Sequence, residues 1–144
     1  HLHESGLEVD YQHTTAEQLA IDQPAQYDVV TCMELLEHVP DPASIIQAAA
    51  TLVKPEGCIV LSTLNRNVKS FMLAIVGAEY VMNMLPKGTH EYEKFLKPSE
   101  LAQAARMASL DVSDITGMSY NLISKNYRLG SDIDVNYLMT CRPL

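Results

Sequence analysis

Apolar and polar positions along the chain change period several times, and each change predicts an element. LEVDYQ, Leu7 to Gln12, alternates apolar and polar residues after Gly6, which is the period-two pattern of a short strand. TTAEQL, Thr14 to Leu19, breaks the alternation and reads as a loop or short turn. In YDVVTCMELLEHV a β-branched apolar core at Val29 to Cys32 passes into a polar stretch without a hairpin turn. A strand that begins at Tyr27 therefore leads into a crossover, as parallel sheets require. Asp41 can cap a helix with Pro42 in its first turn, and Ile45, Ile46, Ala49, Leu52 and Val53 supply its apolar face. Lys54-Pro55-Glu56-Gly57 stops that helix. CIVLST, Cys58 to Thr63, is then a second buried strand, with Asn65, Arg66 and Asn67 in the loop at its C-terminal end. Farther on, Ser99 stands near the cap of another helix whose face carries Leu101, Ala104, Ala105 and Ala108. LDVSDITG (110–117) and DIDVNYLMTC (132–141) read as strands, and SYNLISKNYRLGS between them as a loop. The order predicts an α/β fold whose sheet finishes in an antiparallel edge.

Composition narrows the class. With 144 residues, 47% hydrophobic and 19% charged, the chain has material for one packed core. Its net charge of −8, with no Lys/Arg cluster to neutralise phosphates, argues against nucleic acid as a partner. Cys32, Cys58 and Cys141 are odd in number, widely spaced and set in apolar sequence, so they read as reduced core thiols. The first residues, HLHESGLEVDYQH, are polar and hold no apolar run of the kind a signal peptide needs. They lack an initiator Met and read as the last turn of a helix closed at Ser5-Gly6, so further sequence is expected upstream.

Candidate chemistry gathers at the predicted strand ends, where ligands bind in open α/β sheets. Three polar groups fall there: Thr14 to Gln18, Met33 to His38, and Ser62 to Asn67. Glu34, Glu37 and His38 are spaced i, i+3 and i+4, so one helical turn would project all three from one face. Such a set suits a divalent cation, with Mg²⁺ favoured by the oxygen ligands. It equally suits His38 as a general base oriented by a carboxylate, or an acidic helix start with no chemistry at all. VKSFMLAIVGAEYVMNML, Val68 to Leu85, is almost wholly apolar. On a helix, Lys69, Glu79 and Asn83 fall within a sector of roughly 80°, with Phe71, Ile75 and Met82 on the other side and Met72 and Tyr80 adding to a wide apolar surface. That pattern fits a membrane-surface element or a helix buried against the sheet or a second subunit; it is too short to span a bilayer. Tyr120, Tyr127, Tyr137 and His90 read as strand or core-edge residues.

YDVVTCMELLEHVPDP, LVKPEGCIVLSTLNRN and KGTHEYEKFLKPSEL together resemble the ubiquinone-biosynthesis O-methyltransferase family, within the Rossmann-like, S-adenosylmethionine-dependent methyltransferases. The resemblance implies a Rossmann-like methyltransferase sheet, mostly parallel with an antiparallel C-terminal edge and lacking its first strands. Residues 1–144 would be the C-terminal part of a single domain with an apolar insertion at about 66–90. It implies that Met33 packs beside S-adenosylmethionine, that Ala16 and Glu17 contact its adenine side, and that Glu34, Glu37 and His38 bind Mg²⁺, with Glu34 and His38 serving catalysis. The implied reaction is methylation of a ring hydroxyl on a polyprenylated phenol or quinol. The implied setting is cytoplasmic, peripheral on the inner membrane, with other ubiquinone-biosynthesis enzymes as partners. The family's glycine-rich turn and ribose-binding acid are not among these residues, so they are expected before His1 and the chain alone should hold the cofactor weakly or not at all. Glu56 stands where many relatives have Gly, which alters only a turn. A quinone-ring C-methyltransferase and a non-catalytic membrane or complex-assembly module are the alternatives.

Overall fold

The computed structural model describes Gly6 and residues 8–70, 92–121 and 126–144. Five strands lie within them: β1 (Tyr27–Met33), β2 (Val53–Leu64), β3 (Leu110–Asn121), β4 (Asn126–Gly130) and β5 (Asn136–Pro143). They form one sheet in the order β1-β2-β5-β3-β4. β1 and β2 pair in parallel, and β5 joins β2 to β3 antiparallel to both, with β4 closing the far edge against β3. β1, β2 and β3 thus share one direction, and the antiparallel C-terminal edge is present.

Among the described residues three helices of more than one turn accompany the sheet: α1 (Ala16–Asp22), α2 (Pro42–Leu52) and α3 (Pro98–Met107). α2 starts where the sequence places it. Asp41 Oδ1 accepts from the backbone N–H of Ala43 at 3.0 Å and Ser44 at 3.4 Å, and Pro42 occupies the first turn, where its missing N–H has no partner to lose. α2 buries Ile46, Ala48, Ala49 and Leu52. Val53 turns extended and β2 begins at once. The register then jumps from Tyr27↔Val53 to Val29↔Cys58, so Lys54 to Gly57 bulge out of the ladder instead of forming a separate turn. Gly57 is needed in that bulge. A Cβ there would lie 2.6 Å from the Asp28 carbonyl oxygen and 2.6 Å from Val53 Cγ2.

Packing of α2 and α3 on the sheet makes the core. Leu36, Ile46, Ile59, Leu61, Leu101, Ala105, Met139 and Cys141 meet there, each almost wholly buried. Tyr137 joins them with no exposure and donates its hydroxyl to the Leu96 carbonyl at 2.9 Å, so the ring is a core element with a satisfied polar tip. Cys32, Cys58 and Cys141 are free thiols. Burial pushes Cys32 and Cys141 up to about 11, which keeps them protonated and unreactive near neutral pH.

Four sequence expectations change. Residues 8–12 form no strand, and Val9 and Tyr11 are exposed; alternation without a paired edge or a face to bury does not make one. Thr14 to Leu19 is largely α1, capped by the Thr15 hydroxyl accepting from Gln18 N–H at 3.2 Å. Seven residues are too few for helical periodicity to show. The cap of α3 is Lys97 rather than Ser99: Pro98 holds the first position and Glu100 Oε2 accepts from the Lys97 N–H at 3.0 Å. The loop predicted between the last two strands contains the end of β3 and all of β4. Every β4 residue is exposed, so backbone pairing builds it and no alternation announces it. Of the apolar stretch Val68 to Leu85, only the single helical turn Val68–Ser70 is described; the rest, with His90, lies outside the described residues. Among the described residues no helix is long and apolar enough to cross a membrane.

Gly57→Ala is expected to destabilise the fold by about 1–3 kcal/mol, because both neighbours of the added methyl are fixed by the β1–β2 ladder. Urea denaturation should show a lower midpoint with an unchanged slope.

Candidate active site

Parallel pairing of β1 and β2 in the register Met33↔Ser62 brings the turn after β1 against the last residues of β2. Glu34 is the first residue past β1 and has φ 49°, the left-handed region that non-glycine residues seldom occupy. Its N–H donates to the Ser62 carbonyl at 3.1 Å and to Ser62 Oγ at 3.0 Å. The Ser62 hydroxyl donates in turn to Glu34 Oε1 at 2.8 Å. One residue on, the Thr63 hydroxyl donates to Glu37 Oε2 at 2.8 Å. Ser62 and Thr63 have no exposed surface and Glu37 is 2% exposed, so two strand hydroxyls hold two acids at a dry rim.

The acids also meet each other. The Glu34 and Glu37 carboxyls lie close enough for one to act on the titration of the other. Desolvation raises the Glu34 pKa and the neighbouring Glu37 charge adds to it, while hydrogen bonds from Ser62 and Asn136 work against the rise. Glu37 Oε1 and Asn136 Oδ1 are both buried without a hydrogen-bond partner.

This is not the arrangement that the spacing predicts. Residues 36–40 form turns and bends, and the left-handed Glu34 sets its side chain off any helical face. His38 is exposed on that turn, where its N–H donates to the Leu35 carbonyl at 2.9 Å. Among the described residues no three His, Cys, Asp or Glu side chains are grouped to hold a metal, so the expected Glu34, Glu37 and His38 ligand set is not assembled. Two of its members are together.

Met33, the last residue of β1, is 45% exposed at the same rim. Ala16 opens α1 and lines two hollows: one of about 300 Å³ walled also by Leu19, Val30, Leu35 and Ile45, and one of about 710 Å³ walled by Val9, Gln12 and Thr14. Glu17 follows it in the first turn of α1. It accepts from the Ser44 hydroxyl at 2.8 Å, tying α1 to the first turn of α2, and backbone N–H and hydroxyl donors hold its carboxyl below the usual range. Beyond Thr63 the loop is anchored structurally: Asn65 Nδ2 donates to the Ile133 carbonyl at 2.9 Å, Asn67 Nδ2 donates to the Asp134 carbonyl, and Arg66 pairs with Glu100. Sequence reasoning missed Asn136. It also missed that Ser62 and Thr63 are partners of the acids. The available signal was two hydroxyls in an otherwise apolar strand, since buried hydroxyls need partners.

The methyltransferase-domain family model matches residues 4–115. The chain belongs to the methyltransferase-domain family. It is similar to the ubiquinone biosynthesis O-methyltransferase of Thiobacillus denitrificans, 59% identical over 142 residues, which are 99% of this chain and 61% of that protein. The protein of the same name from Marinobacter nauticus is 61% identical over 141 residues, 96% of this chain and 59% of that protein. The chain therefore spans about three fifths of the length of these curated relatives. Among solved structures, magnesium protoporphyrin IX methyltransferase from Synechocystis with bound SAH superposes with a TM-score of 0.57 at 14% identity, over 91% of this chain and 49% of that one. The [4+2]-cyclase SpnF superposes at 0.62 with 12% identity, over 99% of this chain and 60% of that one. These likenesses show the fold. One buried and one half-buried carboxyl, two clamping hydroxyls and an orphan carboxyl oxygen are hard donors of the kind that fit Mg²⁺, which is often held by only one or two protein carboxylates.

A raised Glu34 pKa has a defined consequence for stability. The folded state keeps a proton that the unfolded chain releases above about pH 4.3, so stability falls as pH rises from there through the folded pKa. Glu34→Gln keeps an acceptor for Ser62 and removes the titration. Thermal melts between about pH 4 and about pH 8 should show a declining midpoint for the parent and a flatter profile for the variant.

Proposed function

We propose that this chain is the substrate-activating part of an S-adenosylmethionine-dependent O-methyltransferase acting on a ring hydroxyl of a polyprenylated catechol or quinol in ubiquinone biosynthesis. The observation that carries this reading is the 59–61% identity, over nearly the whole chain, to proteins named for that reaction. The rim of acids and hydroxyls after β1 supports it chemically, because methylating a phenol needs a nucleophile stripped of its proton and aligned with the methyl group.

In this reading Glu34 and Glu37 hold Mg²⁺, and Ser62 and Thr63 fix the two carboxyls so that their oxygens need not reorganise. When bound, the ion supplies the charge that lowers the pKa of a ring hydroxyl, and S-adenosylmethionine supplies the methyl. Met33 and Ala16 border the cofactor side, one at the end of β1 and the other between the two hollows. His38, on the solvent side of the turn, takes the phenolic proton away from the site. The apolar stretch Val68 to Leu85 suits the greasy tail of such a substrate and a cytoplasmic protein working at the inner membrane surface.

Glu37→Gln in the full chain is expected to lower kcat/KM by about 10-fold to 100-fold, an effect of the size seen when metal-site partners are lost. Parent activity should disappear in chelator and return with added Mg²⁺. Undiminished methylation in chelator would remove the metal and leave His38 as the base, and a methylated ring carbon in the product would replace the O-methyltransferase with a C-methyltransferase.

A further inference from the structure

Strand pairing runs without a break from the rim of the candidate site to the far edge of the sheet. Leu64 on β2 faces Asn136 on β5, Asn136 faces Met118 on β3, and Met118 faces Leu129 on β4. Directly paired residues point to one side of a sheet, so these four share a side. Ser62, two residues before Leu64 on the same strand, shares it too, and its hydroxyl holds the Glu34 carboxyl at 2.8 Å. Ile59, Leu61, Tyr137 and Met139 point to the other side, into the core. One step past the row, Tyr120 faces Tyr127 with ring centroids 4.7 Å apart. β3 runs in the direction of β1 and β2, so its last residues stand at the same end of the sheet as Glu34. Exposure climbs along the row, from 6% at Leu64 to 69% at Leu129, with Tyr127 beside it at 68%. Single exposed apolar residues are ordinary, whereas a contiguous set in line with a candidate site has the character of a binding surface.

We propose that the β3–β4 hairpin is the subsite for the apolar tail of the substrate, with Met118, Tyr120, Tyr127 and Leu129 as its floor. This rests on the proposed reading of the chain as acting on a tailed ring, and it names described residues for a tail that the stretch Val68 to Leu85 suits by composition alone. Distance selects the tail over the ring as occupant. Three strand spacings, about 14 Å, separate β2 from β4, whereas aromatic contacts reach about 7 Å between centroids. A ring whose hydroxyl lies by Glu34 cannot also stack on Tyr127. A tail leaving that ring along Asn136 and Met118 arrives there. Charge agrees with a neutral occupant, because residues 115–130 hold no Asp or Glu in a chain that carries 18 of them. Tyrosine rings offer an apolar bed to a hydrocarbon chain while their hydroxyl tips stay in water.

The test is methylation, by the full-length enzyme, of three substrates that share one catechol ring and carry no tail, one prenyl unit or a tail of several units. The parent should prefer the long tail, read as the ratio of kcat/KM for the long-tailed substrate to that for the tailless one. Tyr127→Ser with Leu129→Ser, both at exposed positions, should cut that ratio by about tenfold or more. The ratio of single-unit to tailless substrate should stay at the parent's value, since one unit does not reach β4. Tyr127→Phe with Leu129→Met keeps the apolar bed and should keep the parent's long-tail preference. Should the serine pair fail to fold, Leu129→Ser alone carries the same test. A long-tail preference that is absent from the parent, or unchanged in the serine variant, would overturn the subsite and leave the methyltransferase reading standing. A parent dimer that the serine pair separates, with tail preference unchanged, would overturn it in favour of a second copy of the chain. Absence of ring-hydroxyl methylation by the parent on all three substrates would overturn both.

Discussion

β2 is hydrogen-bonded along both edges, parallel to β1 and antiparallel to β5, and the rest of the site takes its position from that double pairing. A strand held on two sides cannot slip by one residue without turning its buried face outward. Ile59 and Leu61 fix the register by filling the core, and the same register delivers Ser62 and Thr63, with no exposed surface, to the sheet rim. Hydroxyls in such a place must find partners inside the protein. Glu34 and Glu37 provide them because the parallel pairing of β1 brings the residues after Met33 to the same end. Core packing and the placement of two acids are therefore one constraint.

Its cost is concentrated. A buried polar atom without a partner loses about 1–3 kcal/mol relative to one that is satisfied, and Glu37 Oε1 and Asn136 Oδ1 are the two such side-chain atoms among the described residues. A left-handed glutamate adds backbone strain at the same point. A few residues away the loop after β2 shows the opposite economy, with Asn65, Arg66 and Asn67 each engaged with the backbone or side chains across the sheet end. Local disorder of packing does not explain the contrast, since the two regions share a strand.

Much of the sheet is legible in the sequence because burial writes it there. Val29 to Cys32, Cys58 to Thr63 and the face of α2 are apolar at the period of their element, and Asp41-Pro42 marks the helix start by its hydrogen bonding. β4 and α1 are not legible in that way. The first is exposed along its whole length and exists through backbone pairing; the second is too short for its period to be counted. The site shows the same division. Glu34 and Glu37 stand out by composition, but the geometry that places them comes from a left-handed residue and a strand register, not from helical spacing, and His38 ends exposed on the turn. Asn136 is invisible in sequence because the acid it approaches, Glu34, stands far earlier in the chain and is brought near it only by the sheet pairing.

The fold does not choose the reaction. A methyltransferase and a [4+2]-cyclase superpose on this chain almost equally well, with TM-scores of 0.57 and 0.62, so the sheet is a frame on which quite different chemistry is carried out. What can differ between such proteins is the set of groups at the strand ends. Here that set is two neighbouring acids and the two hydroxyls that fix them. An oxygen-rich, nearly dry arrangement of that kind suits stabilising charge on a substrate oxygen more than it suits binding an apolar ring face, because each donor already lies where a cation or an acidic proton would be met. In the proposed reading the site depends on the register of β2 with its two neighbours, and a change that left the fold intact but moved Ser62 off Glu34 would take it apart.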